Sequence, residues 1–351
     1  MSNVVYRIGI VGATSLAGKE LADELQESLL AASAVVLLDD DEEAAGLMTA
    51  AGGEPAFVQP LESTSFHKMD FVFFAGDPAG TARHWKHARR AGASIIDLTY
   101  VLGAEKGVLV RSPLVIAGHS AGHSAGPDLN TPAVVAAHPA AVMLALVASR
   151  LKAKLPLTQV AATVMEPASE HGRAAMDELH RQTVNLLSFQ SIPQEQYDAQ
   201  VSFNLLPALG EASKIKLQEV GQRIQDHYAV LAAGDLPKLG LQIVQAPVFH
   251  GYVVSVLVEL ERSATVEQVE AALAGEMIEL VDRESDPPSN VGATGQGKIM
   301  VRVSTHEGDG ADAESKRFWL WLAADNLKLA ALNAIACALE LRRLRPSGKV
   351  Q

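Results

Sequence analysis

Apolar and polar positions repeat along this chain with two periods, and each change of period marks an element. Val4 to Val11 form an apolar run that reads as a strand. Gly12-Ala-Thr-Ser-Leu-Ala-Gly18 reads as a tight turn, and Leu16 to Leu25 carry apolar residues at helical spacing. Strand-like runs follow at "AVVLL", "FVFFAG", "SIIDL" and "SPLVIA", separated by helical stretches such as Gly80 to Gly92. This alternation predicts a doubly wound parallel sheet through about residue 130.

Beyond that point the pattern changes. "HPAAVMLALVASRLKAKL" and "GRAAMDELHRQTVNLLS" read as helices and "TQVAATVME" as a strand. "LQIVQAPVFHGYVVSVLVELE" reads as a long strand pair, and "TVEQVEAALAG" as a helix capped by its threonine. "KIMVRVST" and "RFWLWLAA" are further strands, joined by "HEGDGADAESK" as a solvated hairpin loop. The mixture predicts an α+β domain whose sheet presents a broad face to a partner subunit. "DNLKLAALNAIACALELRRL" is a long apolar helix that returns to the first domain. The expected fold is therefore α/β, with one domain at 1–130 plus 324–351 and a second at 131–323.

Composition narrows the function classes. With 351 residues the chain is long enough for two cores, and 48% apolar against 20% charged residues is the balance of a globular protein. A formal charge of −12 argues against nucleic acid or an anionic membrane as partner. No apolar run approaches membrane-spanning length, and no basic stretch leads into a signal-like core, so a cytoplasmic protein is expected. Cys337 is the single cysteine, which leaves no internal disulfide and no multi-cysteine metal site. No metal is expected.

"GHSAGHSAG" at 118 to 126 prints the G-x-S-x-G hydrolase pattern twice, with Ser120 or Ser124 as nucleophile. The elbow that pattern describes needs a helix directly after the serine. Here a second copy, Pro127-Asp128 and Thr131-Pro132 follow instead, and prolines so placed oppose a helix. A glycine-rich loop lengthened by duplication is the simpler reading. Glycines on either side of His119 and His123 also argue against chelation.

The glycine turn has a clearer purpose. Gly12 lets the backbone bend, Gly18 lets helix approach strand, and the helix start aims amides at a pyrophosphate. Ser15 stands where such loops often carry glycine. Asp39, about twenty residues on, is placed to bind a ribose 2′-hydroxyl, and the five acids from Asp39 to Glu43 would repel a 2′-phosphate. Where a dinucleotide binds, NAD rather than NADP is expected.

"GATSLAG", "FFAG", "DLT", "PDLN", "AMDELHRQT", "FNLLP", "APVFHG" and "DNLKLAALNA" occur in an order and spacing that resembles the aspartate-semialdehyde dehydrogenase family nearly end to end. "VQAPVF" is similar to its Usg-type branch, whose members depart from the catalytic pattern. The resemblance implies a Rossmann-like domain completed by the C-terminal helix, a central dimerisation domain and a homodimer. It also implies cofactor contacts at Gly12, Thr14, Ser15, Leu16, Gly18, Asp39, Ala75, Gly76 and Asn326. The activity it implies is interconversion of an acyl phosphate and an aldehyde. In that chemistry a cysteine thiolate forms a thiohemiacetal, hydride passes to or from nicotinamide, a histidine is the base, and two arginines hold carboxylate and phosphate.

Carried onto this chain, the resemblance implies a consistent loss. The nucleophile position falls on Ala141, within His138-Pro139-Ala140-Ala141, and the base on Tyr252, whose ordinary pKa of about 10 suits it poorly. The arginines fall on Gln245 and near Gly103, and a substrate-orienting glutamine on Met165, beside Glu166. His250, two residues before Tyr252, is expected to share its face of the strand and reach the same cleft. Lys216 and Arg302 alone match family basic residues. Cys337 sits in an apolar helix and is expected to be inert. The favoured reading is a non-catalytic homologue that keeps fold, dimerisation and possible NAD binding, as a homodimer or a heterodimer with an active paralogue. The alternatives are an active NAD(P)-dependent dehydrogenase, another oxidoreductase using Tyr252, His250 or Glu166 as acid, and a serine hydrolase.

Overall fold

A computed structural model describes residues 6–31, 33–41, 46–51, 54–116, 126–305 and 314–344. Contacts divide the chain into two compact units. The first comprises 1–114, 122–138 and 330–351, and the second 115–121 and 139–329.

In the first unit a seven-stranded sheet runs in the order Gln59–Pro60, Ala34–Asp39, Arg7–Val11, Phe71–Phe74, Ser94–Asp97, Val134–Ala136, Leu109–Arg111, and all its pairs are parallel. The strands are apolar on both sides because both faces are covered. Ile8, Ile10, Phe71 and Phe73 meet Leu21 and Leu25 of the helix Leu16–Glu27, together with Ala331, Ala334 and Ile335 of the C-terminal helix Asn326–Arg342. Val72, Phe74 and Ile95 meet Trp85 and Ala88 of the helix Pro78–Arg90. The C-terminal helix is tied down further by Arg111, whose Nη2 lies 2.6 Å from Glu340 Oε1 and whose Nε lies 3.3 Å from Oε2. The doubly wound sheet and the returning helix thus agree with the sequence reading.

The second unit carries a six-stranded mixed sheet in the order Leu239–Gln245, Leu157–Glu166, Tyr252–Ala264, Ser315–Ala324, Ile299–Thr305, Ile278–Leu280. Strict alternation sets its two faces. Val164, Val254, Leu322 and Val301 lie in one buried row, and the helices Pro139–Lys154, Leu217–Ala232 and Val266–Leu273 pack over the sheet and one another. The helix Pro139–Lys154 is buried around almost its whole circumference, which explains its lack of a polar stripe. On the opposite face Thr163, Ser255, Trp321 and Arg302 stand in register, next to the row Ala161, Leu257, Trp319 and Ser304.

Two expectations are corrected. "SPLVIA" is not a strand: the strand is Leu109–Arg111, and Pro113–Ile116 form a short helix. Proline is well suited to a helical first turn, and a short apolar run cannot by itself distinguish strand from helix. "LQIVQAPVFHGYVVSVLVELE" supplies two strands that do not pair with each other, because Leu157–Glu166 lies between them, parallel to the first and antiparallel to the second. The connection between them spends its backbone elsewhere. Ala246 N donates to Glu166 O, while Val248 O and Phe249 O accept from Ala168 N and Ser169 N. The helix Leu217–Ala232 and the hairpin Met48–Ala51/Glu54–Phe57 were not anticipated. His119, Ser120, His123 and Ser124, and most of "HEGDGADAESK", lie outside the described residues.

Candidate functional site

The glycine loop of the first unit is built from close backbone crossings. Gly12 has φ +79°, and a Cβ there would meet Gly76 Cα at 2.1 Å; one on Gly18 would meet Gly12 O at 2.1 Å. Ser15 caps the helix: its Oγ accepts from Gly18 N at 2.8 Å and donates to Ala75 O at 2.7 Å. The hydroxyl at this position therefore ties the start of the helix to the end of the strand Phe71–Phe74. The first-turn amides of Leu16 and Ala17 have no carbonyl one turn earlier in the helix to take them. Asp39 is buried at the end of its strand, and its Oδ2 accepts from Thr14 N at 3.1 Å and from Thr14 Oγ1 at 2.6 Å. The structure thus brings together Gly12, Thr14, Ser15, Leu16, Gly18, Asp39, Ala75 and Gly76. Gly103 sits apart in the turn Val101–Ala104, exposed, with nothing within 4 Å of its Cβ position.

The second unit gathers most of the remaining positions at one end of its sheet. Gln245 and Glu166 are register partners on adjacent strands, and Tyr252 begins the next; all three are fully buried and lie on the helix-covered face. Met165 points to the opposite face, so Glu166 is the residue that shares a row with Gln245 and Tyr252. Gln245 Nε2 donates to Glu166 O at 3.0 Å and Ala246 O at 3.2 Å. Glu166 Oε1 lies 3.2 Å from His171 Nε2. Together with burial and Glu178, the Glu166 carboxylate pushes the Tyr197 phenol upward, burial being the largest cause. Ala141 lies in the first turn of the helix Pro139–Lys154 with no exposed surface.

His250 does not share Tyr252's strand face, contrary to expectation. It precedes the strand, and Gly251, at φ +83°, breaks the alternation between them. Its Nε2 lies 3.0 Å from Asp325 Oδ2 and its Nδ1 3.0 Å from Ser169 Oγ. Asn326 Oδ1 accepts from Gly251 N at 3.1 Å, and its Nδ2 donates to Glu170 Oε2 at 3.2 Å, which fixes the amide's orientation. Ser169 Oγ donates to Asn326 Oδ1, 3.1 Å away, and shares a hydrogen bond with His250 Nδ1. Asp325 can only accept from Nε2. Both ring nitrogens therefore face partners within the fold, and neither is turned to a substrate. Asp325 is held below the ordinary carboxylate range: burial raises it, but the His250 hydrogen bond, the amides of Lys328 and Gly295 and the imidazole charge outweigh that.

Asn326, expected at the cofactor, spends its carboxamide on Ser169, Gly251 and Glu170 within this unit. Ser169, His171 and Asp325 were missed; only Asp325, an acid immediately before a helical pattern, carried a signal. Lys216 is exposed and donates to Glu211 O, while Arg302 donates to the Asp282 and Ser285 carbonyls. Cys337 is fully buried in the first unit, with its Sγ 3.7 Å from Arg111 O, and burial pushes its thiol far up. Among the described residues no group of three metal-ligating side chains occurs, and no helix is long and apolar enough to cross a membrane.

Comparison with known proteins agrees with this geometry. Residues 7–122 match the family model "Semialdehyde dehydrogenase, NAD binding domain", and residues 149–329 match "Semialdehyde dehydrogenase, dimerisation domain". The chain is 30% identical over 336 residues to a USG-1 protein homolog of Azotobacter vinelandii, covering 94% of this chain and 96% of that one. It is 24% identical to the aspartate-semialdehyde dehydrogenase of Rickettsia bellii, over 96% of this chain and 97% of that one. A solved structure of a probable aspartate-semialdehyde dehydrogenase from Pseudomonas aeruginosa superposes with a TM-score of 0.81 at 28% identity, covering 97% and 98% of the two chains. The two matched domains span most of the sequence, and the chain belongs to the semialdehyde dehydrogenase family.

Proposed function

We propose that this chain is a non-catalytic member of the family, keeping its fold, its dimerisation and its dinucleotide site while lacking the covalent chemistry of a semialdehyde dehydrogenase. The observation that carries the reading is Ala141, a buried methyl group at the position where the family resemblance implies the nucleophile. A methyl has no lone pair, and acyl transfer through a covalent intermediate needs one. The other matched positions point the same way. Tyr252 is a poor base, Gln245 has no charge to hold a carboxylate, Gly103 has no side chain, and His250 has no free nitrogen. Cys337 cannot substitute, because desolvation keeps it a thiol.

The first unit fits a nicotinamide dinucleotide. The Gly12–Gly76 crossing keeps side chains away from the loop, and the helix start at Leu16 and Ala17 offers amides to a pyrophosphate. Bound there, the cofactor would supply a hydride donor or acceptor; Gly12, Thr14, Ser15, Leu16, Gly18, Ala75 and Gly76 would hold it. Asp39 and the acids after it favour NAD over NADP.

The partner is a second copy of this chain, seated on the outward sheet face. Trp319 and Trp321 stand there 38% and 37% exposed, beside Leu257 and Val253, in the unit that matches a dimerisation domain. Aromatic and aliphatic residues in register on an open sheet face form a surface of the kind that associates.

The experiment is a spectrophotometric assay of the purified chain with aspartate semialdehyde, phosphate and NAD+ or NADP+. No NADH or NADPH above a protein-free blank is expected. Turnover comparable with an active relative would overturn the proposal.

A further inference from the structure

The strand end of the second unit holds two buried acceptor oxygens with no hydrogen-bond donor among the described residues. Gln245 uses its Nε2 on the carbonyls of Glu166 and Ala246, which can only accept, so the amide orientation is fixed and Oε1 is the oxygen. That Oε1 is buried and has no hydrogen-bond partner among the described residues. Glu166 has no exposed surface; its Oε1 faces His171, and its Oε2 has no partner among them. The two residues are register partners on adjacent strands and project from the same face, so their side chains stand side by side. His171 Nε2, itself buried, lies 3.2 Å from Glu166 Oε1.

Buried acceptors without donors are costly, and a carboxylate more so than an amide. The chemistry that satisfies both is a positively charged group carrying at least two N–H donors. A carboxylate or phosphate would instead place a second negative charge against Glu166. We propose that Glu166 Oε2 and Gln245 Oε1 receive the cationic nitrogen of a ligand, a primary ammonium or a guanidinium. The polarity is opposite to that of an arginine-lined anion site. The inference rests on the preceding reading only in taking this strand end as the ligand-facing part of the unit.

The test uses the full-length wild-type chain titrated calorimetrically with butylammonium and butylguanidinium, and with butyrate and inorganic phosphate at equal ionic strength. Saturable binding of at least one cation and of neither anion is expected. Glu166→Gln should weaken that cation by roughly tenfold or more, the loss of one charge-assisted hydrogen bond. Gln245→Arg should abolish cation binding. A crystal of the wild-type chain grown with butylguanidinium, with the probe between Glu166 and Gln245, gives a readout that does not depend on the variants folding. Binding of anions only, no saturable cation binding, or unchanged cation affinity in Glu166→Gln would overturn the proposal. Turnover of aspartate semialdehyde would remove the functional reading and leave this one intact; anion-only binding would do the reverse.

Discussion

The half-buried His250 and the buried Asp325 form a pair in which Nε2 lies 3.0 Å from Oδ2, and the imidazole's other nitrogen is spent on Ser169. Histidine in a family of dehydrogenases suggests a base. Here it is a clamp, joining the connection before Tyr252 to the start of the C-terminal helix, where Asp325 Oδ1 accepts from Leu327 N and Lys328 N.

The pair predicts a pH dependence. Asp325 is depressed in the folded chain, so its stabilisation is complete above the unfolded value of about 3.9 and is lost as pH falls through the lower folded value. Asp325→Asn keeps a capping oxygen but loses the charge, and should cost about 2 kcal/mol at neutral pH. Asp325→Ala also loses the cap, for about 1 kcal/mol more. Denaturant unfolding should show the gap between wild type and Asp325→Asn shrinking below about pH 4; an equal gap at low and neutral pH would contradict this.

Gly12 and Gly76 predict a matched pair of variants. Gly12→Ala places a side chain at φ +79° against Gly76 Cα, and should cost at least about 1–2 kcal/mol from the backbone conformation alone. Gly76→Ala creates the same collision without the positive φ, its Cβ falling 2.7 Å from Gly12 Cα. Both should abolish saturable NADH fluorescence enhancement in the folded fraction. Full binding in either variant would mean that the crossing does not shape the cofactor loop.

Arg111 and Glu340 predict a stability effect in the first unit. Arg111 is almost fully buried, so Glu340→Ala leaves its guanidinium without this carboxylate and should cost about 3 kcal/mol. Chemical denaturation measures this, and a loss near zero would contradict it. The double variant Arg111→Met/Glu340→Leu should recover part of the loss, since an apolar pair of similar size avoids the desolvation cost.

Cys337 predicts chemical silence. Burial holds it as a thiol against Arg111 O, so a thiol-reactive dye should label the unfolded chain promptly and the native chain only as fast as it opens. Prompt labelling of the native chain would show an accessible thiolate.

Much of this was legible in the sequence where periodicity rules. The doubly wound sheet follows from alternating apolar runs and helices, and the capping box at Thr265 and Gln268 was visible as a threonine before an apolar period. Gln245 and Tyr252, matched by resemblance, converge at one sheet end, where Glu166 joins them in place of the matched Met165. The strand pair failed because register is chosen by long-range pairing, with Leu157–Glu166 inserted between two segments that are neighbours in sequence. His250 was misplaced because a single positive φ at Gly251 breaks the two-residue period. Ser169 and Asp325 meet His250 only through tertiary structure, which no local pattern encodes.

The most direct measurement is intact-mass analysis of the chain after incubation with aspartate semialdehyde and NAD+ or NADP+ without phosphate, where an acyl intermediate would accumulate. The account predicts an unmodified mass in the wild-type chain. A stoichiometric acyl adduct on any residue of the second unit would contradict it.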